Sequence, residues 1–544
     1  MDKFTSQIIR SSLFYASEEM GIALRNSAYS PNIKERMDHS AAIFDSEGKL
    51  LAQAEHIPVH LGSLPWGLKN TLDYMRKNSM EIEENSMILL NDPYIAGTHL
   101  NDVTVVRPIF FEGKLVAYAA NKAHHSDVGG KVPGSISSDA KSLYEEGLII
   151  DPVYLVRKGE ISSDIVSMFS INSRNPYERK GDLKAQIAAN LTGDKRVKEA
   201  IEKYGSGEFM DSIDDAFEYA ERITLSKLQK MRKGTFEAED YLESTEGNDI
   251  RLHVTLTIRD DGIDVNYKGT DNQVQLPLNA VFGVTISGVH YVLRSVLGEE
   301  VPVNYGTFKP VRIYCDEGTV LNPRFPAPVS GGNVETSQRN ADLIFLALSN
   351  VIPDTIPAAS GGSMNNIMMG GFYRGKTWAF YETIGVGLGG RNGMDGVDGI
   401  HSNMTNTMNT PIEDIEKNLP LFITNYEFRP NSGGAGKFRG GCGIIREYKV
   451  AEGSVTLTVL SDRGIHRPWG LCGGKLGEPT KVSVFKNGRW RRIETKETVE
   501  LSEGEAFKIE TAGGGGYGNP TERDKGLLMK DLNNGIITKT EDYD

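Results

Sequence analysis

The 544-residue sequence is poor in cysteine and in long apolar runs. It contains three cysteines, Cys315, Cys442 and Cys472, and no CxxC pair, which argues against a structural zinc site and against a disulfide framework. No apolar stretch approaches the length of a membrane span, and the first residues lack the apolar core of a signal peptide. These absences predict a cytoplasmic protein that does not enter a membrane.

Blocks of like charge are also missing. The formal net charge is −13 and the basic residues are scattered along the chain, which argues against nucleic acid or an anionic lipid surface as a partner. The 39% hydrophobic and 24% charged residues are ordinary for a globular protein. Because 544 residues exceed what one hydrophobic core supports, we expect two or three domains.

The hydrophobic pattern predicts a mixed α/β (α+β) protein. Apolar residues recur at helical spacing over residues 4–27 and again within 182–231. The later part of the chain is rich in strand patterns, with a strong hairpin turn at Asn487-Gly488. We therefore expect an N-terminal domain of hairpins and helices, a mixed middle domain and a β-rich C-terminal domain, with limits at 1–190, 191–420 and 421–544.

The most informative local pattern is a predicted β-hairpin in the first third of the chain. Residues 103–111 and 115–120 have strand character, and a Glu-Gly pair between them supplies a two-residue turn. Pairing across that turn would join residues whose numbers sum to about 225. This register predicts that Asn101 lies opposite His124.

Two histidines and an aspartate flank the open end of this hairpin. Because opposed residues on paired strands have Cβ atoms about 5 Å apart, His99, Asp102 and His124 could converge there. Such a set suits zinc, manganese or iron and leaves coordination positions for water or substrate, whereas calcium prefers more oxygen ligands. The same residue types also cap turns and complete polar networks, so spacing alone leaves both interpretations open. His125 and Asp127 follow closely and could supply the hydrogen-bond partners that metal-bound imidazoles need.

Glycine-rich segments invite comparison with phosphate-binding loops. Neither residues 434–437 nor residues 513–518 have P-loop spacing, and neither clearly joins a strand to a following helix. We interpret them as glycine-rich turns that pack against neighbouring domains and predict no ATP site in this chain. A substrate pocket could be lined by Glu335, Gln338, Arg339, Asn365 and Asn366. The same side chains could instead satisfy polar groups of loops, and both interpretations of residues 335–339 remain open. For Asp395 and Asp398, which could form a second acidic site, we favour a role in satisfying polar groups of loops.

Short motifs recur in order along nearly the whole chain: IKERMDHS at 33–40, AEHIPVHLG at 54–62, NDPYIAGTHLND at 91–102, HHSDVGGKVPG at 124–134, ETSQR at 335–339, PAAS at 357–360, SGGAG at 432–436, RGGCG at 439–443 and GGGGYG at 513–518. Together they resemble the hydantoinase B/oxoprolinase family, which is related to the large subunit of acetone carboxylase. The resemblance implies that the N-terminal domain binds a divalent metal, zinc or manganese, through four side chains: Asp38, His99, Asp102 and His124. His125 and Asp127 are then the candidate catalytic residues, which would move a proton or orient the ligands.

The resemblance also implies a function. It indicates the metal-bearing subunit of an ATP-dependent amidohydrolase that opens cyclic amides such as 5-oxoproline, hydantoins or lactams. ATP would be bound by a separate hydantoinase A-type ATPase subunit, in a hetero-oligomer that is a heterotetramer by resemblance. One alternative is a subunit of an ATP-dependent ketone carboxylase of the acetone or acetophenone type, which bicarbonate-dependent carbon fixation would identify. A second is a non-catalytic scaffold with a structural metal, which metal exchange without loss of the fold would oppose.

Overall fold

A computed structural model describes residues 3–54 and 56–543 and shows a mixed α/β architecture with several sheets, which confirms the predicted fold class. The helices are α1 (Lys3–Ser27), α2 (Pro31–Lys34), α3 (His60–Lys77), α4 (Pro93–Ala96), α5 (Ser163–Ile171), α6 (Pro176–Tyr204), α7 (Ser206–Lys230), α8 (Phe282–Leu297), α9 (Tyr305–Phe308), α10 (Ser337–Ser349), α11 (Ile412–Asn418) and α12 (Lys525–Asn533). The strands are β1 (His39–Asp45), β2 (Leu50–Gln53), β3 (Met87–Leu90), β4 (Asp102–Phe111), β5 (Lys114–His124), β6 (Val153–Arg157), β7 (Glu160–Ile161), β8 (Gly234–Leu242), β9 (Ile250–Arg259), β10 (Gly262–Asn266), β11 (Val311–Tyr314), β12 (Asn366–Tyr373), β13 (Lys376–Thr383), β14 (Leu421–Phe428), β15 (Ile444–Val450), β16 (Ser454–Leu460), β17 (Lys481–Lys486), β18 (Arg489–Ile493), β19 (Lys496–Ser502) and β20 (Ala506–Glu510).

The first sheet is covered by helices on both faces. Its strand order is β2-β1-β5-β4-β3-β6-β7, with β5 between β1 and β4. The predicted N-terminal helix is α1, and its buried Ile9 and Met20 pack with Ala119 of β5 in one core cluster with α6. On the other face, Leu68 of α3 packs against Ala120 of β5. Because both faces are buried, β1 and most of β5 are continuous buried runs rather than alternating ones.

The predicted hairpin forms, with its turn at the Glu-Gly pair between β4 and β5. Its register differs from the prediction along most of its length. Phe110 pairs with Leu115 as expected, but Ile109 pairs with Ala117, so Val116 is an extra residue on β5. Such a β-bulge shifts every later pair by one residue.

Three further sheets follow, in the orders β11-β10-β9-β8, β13-β12-β16-β19 and β14-β15-β20-β17-β18. Strand β12 pairs with both β13 and β16, so the middle of the chain shares a sheet with its last third. Residue 190 lies inside α6 and residue 420 directly precedes β14, and the predicted domain limits stay a prediction. Among the described helices, none is both long and apolar enough to cross a lipid bilayer.

The glycine-rich segments pack directly against one another. We call this assembly the glycine bundle; it comprises residues 385–399, 433–443, 470–477 and 513–518. A Cβ atom on Gly440 would lie 1.9 Å from the carbonyl oxygen of Gly514, and one on Gly514 would lie 2.0 Å from that of Leu388. The Gly514 amide donates to the carbonyl of Gly441, and its own carbonyl accepts from Gly434. The prediction of tight turns in these segments is confirmed, and their packing against neighbouring domains stays a prediction.

Candidate metal centre

Three buried side chains converge at the open end of the β4–β5 hairpin. His99 Nε2 lies 3.1 Å from His124 Nδ1 and 3.3 Å from Asp102 Oδ1. His124 Nδ1 is also 3.3 Å from Asp102 Oδ1, so the three atoms form a nearly equilateral triangle. The side chains are almost fully enclosed, with at most 2% of each residue exposed. The predicted convergence of these three residues is confirmed.

The pairing that produces this convergence differs by one residue from the prediction. Asp102, and not Asn101, lies opposite His124, because the bulge at Val116 shifts the register. Side chains alternate between the two faces of a strand, so in the predicted register Asp102 and His124 would point to opposite faces. The side-chain amide of Asn101 instead donates to the carbonyl oxygens of His125 and Gly134, where it stabilises the loop after β5.

The dimensions of the triangle fit a divalent metal ion. Tetrahedral ligands with bonds of about 2.0–2.1 Å lie about 3.3–3.4 Å apart. Neighbouring ligands of an octahedral ion with bonds of about 2.1 Å lie about 3.0 Å apart. The distances of 3.1–3.3 Å suit either geometry. The outer ring nitrogens, His99 Nδ1 and His124 Nε2, have no hydrogen-bond partner within the described part of the chain.

Two further side chains border the triangle. Asp38, just before β1, places its Oδ2 3.9 Å from His124 Nδ1. His60, the first residue of α3, was missed by the sequence analysis as a site residue. Its Nε2 is 3.3 Å from Asp102 Oδ2, and its Nδ1 is 2.9 Å from Ser40 Oγ. The AEHIPVHLG motif contains His60, but nothing in its spacing connects it to the hairpin.

The electrostatics favour an ionised Asp102 and a neutral His124. Burial alone would raise the pKa of Asp102, but the adjacent His99 and His60 hold that pKa well below its ordinary value. Burial lowers the pKa of His124, although Asp38 and Asp102 act in the opposite direction. An ionised carboxylate beside a neutral imidazole is the form in which these groups bind metal.

A hydrogen-bonded chain supports His124 from the side of β13. The ring of Tyr381 stacks on His124 with centroids 4.6 Å apart and planes 16° apart. Tyr381 Oη donates to Asn366 Oδ1 at 3.0 Å, and Asn366 Nδ2 donates to Glu335 Oε1 at 2.8 Å. Burial raises the pKa of Glu335 to about 8, so this carboxyl group is mostly neutral near pH 7. These hydrogen bonds hold the Tyr381 ring in place, and its stacking on His124 fixes the plane of the imidazole.

A buried lysine lies on β5 close to the site. Lys122 is fully enclosed, and its Nζ donates to the Ala96 carbonyl and to Thr98 Oγ1, both at 2.8 Å. Burial lowers the pKa of Lys122 to about 7, while Asp102 acts to raise it. Its hydrogen bonds tie the residues just before His99 to the hairpin. No spacing or motif in the sequence marks Lys122 as part of a site.

The side chains of His125 and Asp127 bind groups outside the triangle. His125 Nε2 is 3.0 Å from Gln186 Oε1, and burial lowers the pKa of His125 to about 3. The Asp127 carboxylate accepts hydrogen bonds from the backbone amides of Gly134 and Arg174 and from the Arg174 guanidinium. It therefore holds the loop after β5 in place. A catalytic role for either residue stays a prediction.

The other polar residues that the sequence singled out form buried networks. The Arg439 guanidinium is 2.8 Å from the Asp398 carboxylate, and the Arg523 guanidinium is 2.8 Å from the Asp395 carboxylate. Both carboxylates therefore complete polar networks within loops, as predicted. Arg339 is fully buried and pairs with an aspartate of β8. The polar residues at 335–339 are all completely enclosed, so they do not form the surface of an open pocket.

A small cavity of about 20 Å³ adjoins the triangle. Its lining includes Ile57, Tyr381, Met404 and Thr405. A volume of this size holds about one water molecule and no organic ring. A larger substrate therefore reaches these side chains only if part of this lining moves.

The comparison with known families decides the assignment. A sequence profile described as Hydantoinase B/oxoprolinase matches residues 2–520 of this chain. The chain belongs to the hydantoinase B/oxoprolinase family. It is 50% identical to an uncharacterised protein of Methanocaldococcus jannaschii, over 100% of this chain and 95% of that protein.

Two further relatives carry functional names. The chain is 36% identical to 5-oxoprolinase 1 of Arabidopsis thaliana, over 92% of this chain but only 41% of the plant protein. It therefore spans less than half of that relative. It is also 32% identical to a Pseudomonas protein named as one subunit of a D-/L-hydantoinase, over 99% of this chain and 94% of that protein.

Solved structures share the fold. The crystal structure of an ATP-dependent caprolactamase from Pseudomonas jessenii superposes with a TM-score of 0.91 at 28% identity, over 99% of this chain and 94% of that chain. The nucleotide-free structure of an acetone carboxylase superposes with a TM-score of 0.93 at 18% identity, over 99% of this chain and 79% of that chain. At 18% identity this second likeness is one of fold.

Proposed function

We propose that this chain is the metal-bearing subunit of an ATP-dependent hydrolase that opens cyclic amides such as 5-oxoproline, hydantoins or lactams. The observation that carries the proposal is the enclosed triangle of His99, Asp102 and His124 in a hydantoinase B/oxoprolinase chain. Relatives named as a 5-oxoprolinase, a hydantoinase subunit and a caprolactamase support it, because each name denotes action on a cyclic amide. The acetone carboxylase likeness, being one of fold, does not favour carboxylation.

The residues of the chain would prepare the site for a divalent ion, zinc or manganese. His99, Asp102 and His124 would hold it, with Asp38 as a fourth ligand. When bound, such an ion supplies Lewis-acid chemistry next to the amide. Within the chain, the contact of His60 with Asp102 Oδ2 leaves Oδ1 directed at the triangle. The enclosed lining keeps bulk water away from the reacting group.

A partner would supply the energy for ring opening, because the resonance-stabilised amide resists attack by water. In this proposal a hydantoinase A-type ATPase subunit transfers the terminal phosphoryl group of ATP to the amide oxygen and releases ADP. Water then adds to the activated carbon, the ring C–N bond breaks, and phosphate leaves to give an amine and a carboxylate. The name of the Pseudomonas relative, which denotes one subunit of a larger enzyme, supports a hetero-oligomer. The 5-oxoprolinase of Arabidopsis has more than half of its length outside the matched part, which leaves room for such a partner within one chain.

Elemental analysis of the purified chain by inductively coupled plasma mass spectrometry tests the metal site. We expect near-stoichiometric metal in the wild type and its loss in His99→Ala and His124→Ala. The matched control is His253→Ala, whose ring lies on β9 and contacts the carbonyl of Lys268. A metal content in His99→Ala equal to that of the control would overturn the site.

Turnover is then measured in the complex with the ATPase subunit. We expect ATP-dependent opening of a lactam, hydantoin or 5-oxoproline, abolished by His99→Ala and retained by His253→Ala. Fixation of labelled bicarbonate onto acetone or acetophenone would identify a carboxylase instead. Retention of the fold after metal exchange, with turnover that follows the metal, would exclude the scaffold alternative.

A further inference from the structure

A second and larger cavity lies beside the candidate metal centre. It has a volume of about 380 Å³, within the usual range of small-molecule sites of about 300–1,000 Å³. We call it the α3–α8 pocket; the residues of its lining that matter here are Gln53, Ile57, Leu61, Tyr291, Ser295 and Asn406. An aromatic ring and several aliphatic side chains make it suitable for a compact ring with little charge.

One polar side chain of the lining has an unmet hydrogen-bonding capacity. Gln53, at the end of β2, is 3% exposed, and its Oε1 has no hydrogen-bond partner among the described residues. A buried acceptor without a donor is unfavourable, and native proteins keep few of them. The carboxamide carries an acceptor and a donor side by side. A cyclic amide, which is locked in the cis form, presents its N–H and C=O on one edge and is complementary to that group.

The pocket and the metal centre share a thin wall. Ile57 lines both the α3–α8 pocket and the 20 Å³ cavity beside the triangle. The chain segment opposite does the same, since Met404 and Thr405 line the cavity and Asn406 lines the pocket. Asn406 Nδ2 donates to the carbonyl of His56 at 3.0 Å, which joins the two sides of the wall. A ligand in the pocket is therefore one side-chain layer from the triangle.

We propose that the α3–α8 pocket binds the cyclic amide substrate and delivers it to the metal centre when the wall at Ile57 moves. This inference rests on the proposed function. Oε1 of Gln53 is enclosed, so the carboxamide turns to pair with the amide edge of the ligand, and Ile57 and Tyr291 contact its ring. Much of the lining is apolar, with Ile57, Leu61 and Val303 among its residues, so transfer of a carboxylate from water costs more than transfer of an uncharged lactam.

Saturation-transfer NMR with ε-caprolactam and 5-oxoproline as probes tests the assignment on the full chain. In Ser295→Trp an indole fills the pocket from an exposed position on α8, and we expect binding of ε-caprolactam to be lost. The matched control is Ser226→Trp, an equally exposed serine on α7 that does not line the pocket. Gln53→Leu should weaken binding about tenfold, the effect of one hydrogen bond. The wild type should bind ε-caprolactam more tightly than 5-oxoproline.

The outcomes separate this inference from the proposed function. Absence of ε-caprolactam binding in the wild type, or equal binding in Ser295→Trp and Ser226→Trp, would overturn the pocket assignment even if the metal site stands. If Ser295→Trp does not fold by circular dichroism, Gln53→Leu decides, because loss of an unpartnered polar atom should not lower its unfolding temperature. His99→Ala should lose its metal and still bind ε-caprolactam. A wild type without metal that shows the expected binding pattern would overturn the proposed function and leave the pocket assigned.

Discussion

Asp102 faces His124 directly across the β4–β5 pair, and its Oδ1 lies 3.3 Å from His124 Nδ1. This contact depends on the bulge at Val116, close to the distal turn of the hairpin. Eight residues of strand, about 26 Å, separate that bulge from His124. A local irregularity therefore sets which side chains meet at the far end of the hairpin.

Asp38→Asn tests the fourth ligand. Because Asp38 Oδ2 is 3.9 Å from His124 Nδ1, loss of its charge should weaken metal binding about 10- to 100-fold without abolishing it. Affinity is measured by competition with a chelator. Asp45→Asn is the control, since that carboxylate at the other end of β1 accepts from the amides of Glu47 and Lys49. Equal affinities in the two variants would remove Asp38 from the ligand set.

His60→Gln tests the residue that the sequence analysis missed. His60 bridges Asp102 Oδ2 and Ser40 Oγ, so its loss frees the carboxylate to rotate. We expect metal affinity to fall by about 10- to 100-fold in His60→Gln and by less in Ser40→Ala, as found for groups that orient ligands. The same chelator competition measures it. Unchanged affinity in His60→Gln would show that Asp102 is held without His60.

Glu335→Gln should change how stability depends on pH. The folded pKa of about 8 lies above the ordinary value of 4.5, because burial disfavours the charged form. Between pH 4.5 and 8 only the unfolded state releases this proton, so the wild type loses up to about 1.4 kcal/mol of stability per pH unit. The gain in unfolding temperature of Glu335→Gln over the wild type should therefore grow from pH 5 to pH 8. Exposed Glu413→Gln should show no such trend, and a flat difference for Glu335→Gln would contradict an ionisable group held neutral.

Asp127→Asn separates structural and catalytic roles for one of the two candidate catalytic residues. Asn has no charge to pair with the Arg174 guanidinium and offers one acceptor oxygen in place of two, so we expect the free energy of unfolding to fall by about 2 kcal/mol while the metal content stays unchanged. Chemical denaturation and elemental analysis measure these quantities. Turnover is compared well below the unfolding temperature. A loss of turnover of 100-fold or more in that folded variant would support a catalytic role for Asp127.

Gly440→Ala should be among the most damaging small substitutions in the chain. Its Cβ would lie 1.9 Å from the Gly514 carbonyl oxygen, so the backbone has to move apart. We expect loss of at least about 3 kcal/mol of stability, or no soluble protein. The control is Gly207→Ala on α7, where no atom of the described residues lies within 4 Å of the added Cβ and alanine should stabilise the helix by about 0.5–1 kcal/mol. Similar unfolding temperatures for the two variants would disprove the close packing.

The sequence predicted those parts of the fold that local patterns determine. The turns of the β4–β5 and β17–β18 hairpins lie at the predicted residue pairs, and α1 differs from its prediction by one residue. Hydrophobic period and turn chemistry suffice for these elements because neighbouring residues specify them. The pairing of β12 with β16 joins segments far apart in the chain, and no local pattern marks it.

The same limit applies to the site: its local part was predictable from the sequence, and its long-range contacts were not. His99, Asp102 and His124 lie on one hairpin, so turn position and strand spacing bring them together even when the register is one residue off. No residue type marks the bulge at Val116. His60 reaches Asp102 through the tertiary packing of α3, which spacing within the hairpin cannot reveal. The Asp38 assignment came from family resemblance, and the structure places it at the edge of the triangle.

The glycine bundle has a consequence for how family members are compared. Glycines there leave no room for even a methyl group, so natural selection should reject substitutions at positions such as Gly387 and Gly514 as strictly as at His99. Glycine has no side chain that could hold a metal ion. A ranking of residues by evolutionary invariance would thus mix two populations, one fixed by the proposed metal site and one by steric exclusion. The two populations are distinguished by residue type, since one consists of metal-binding side chains and the other of glycines.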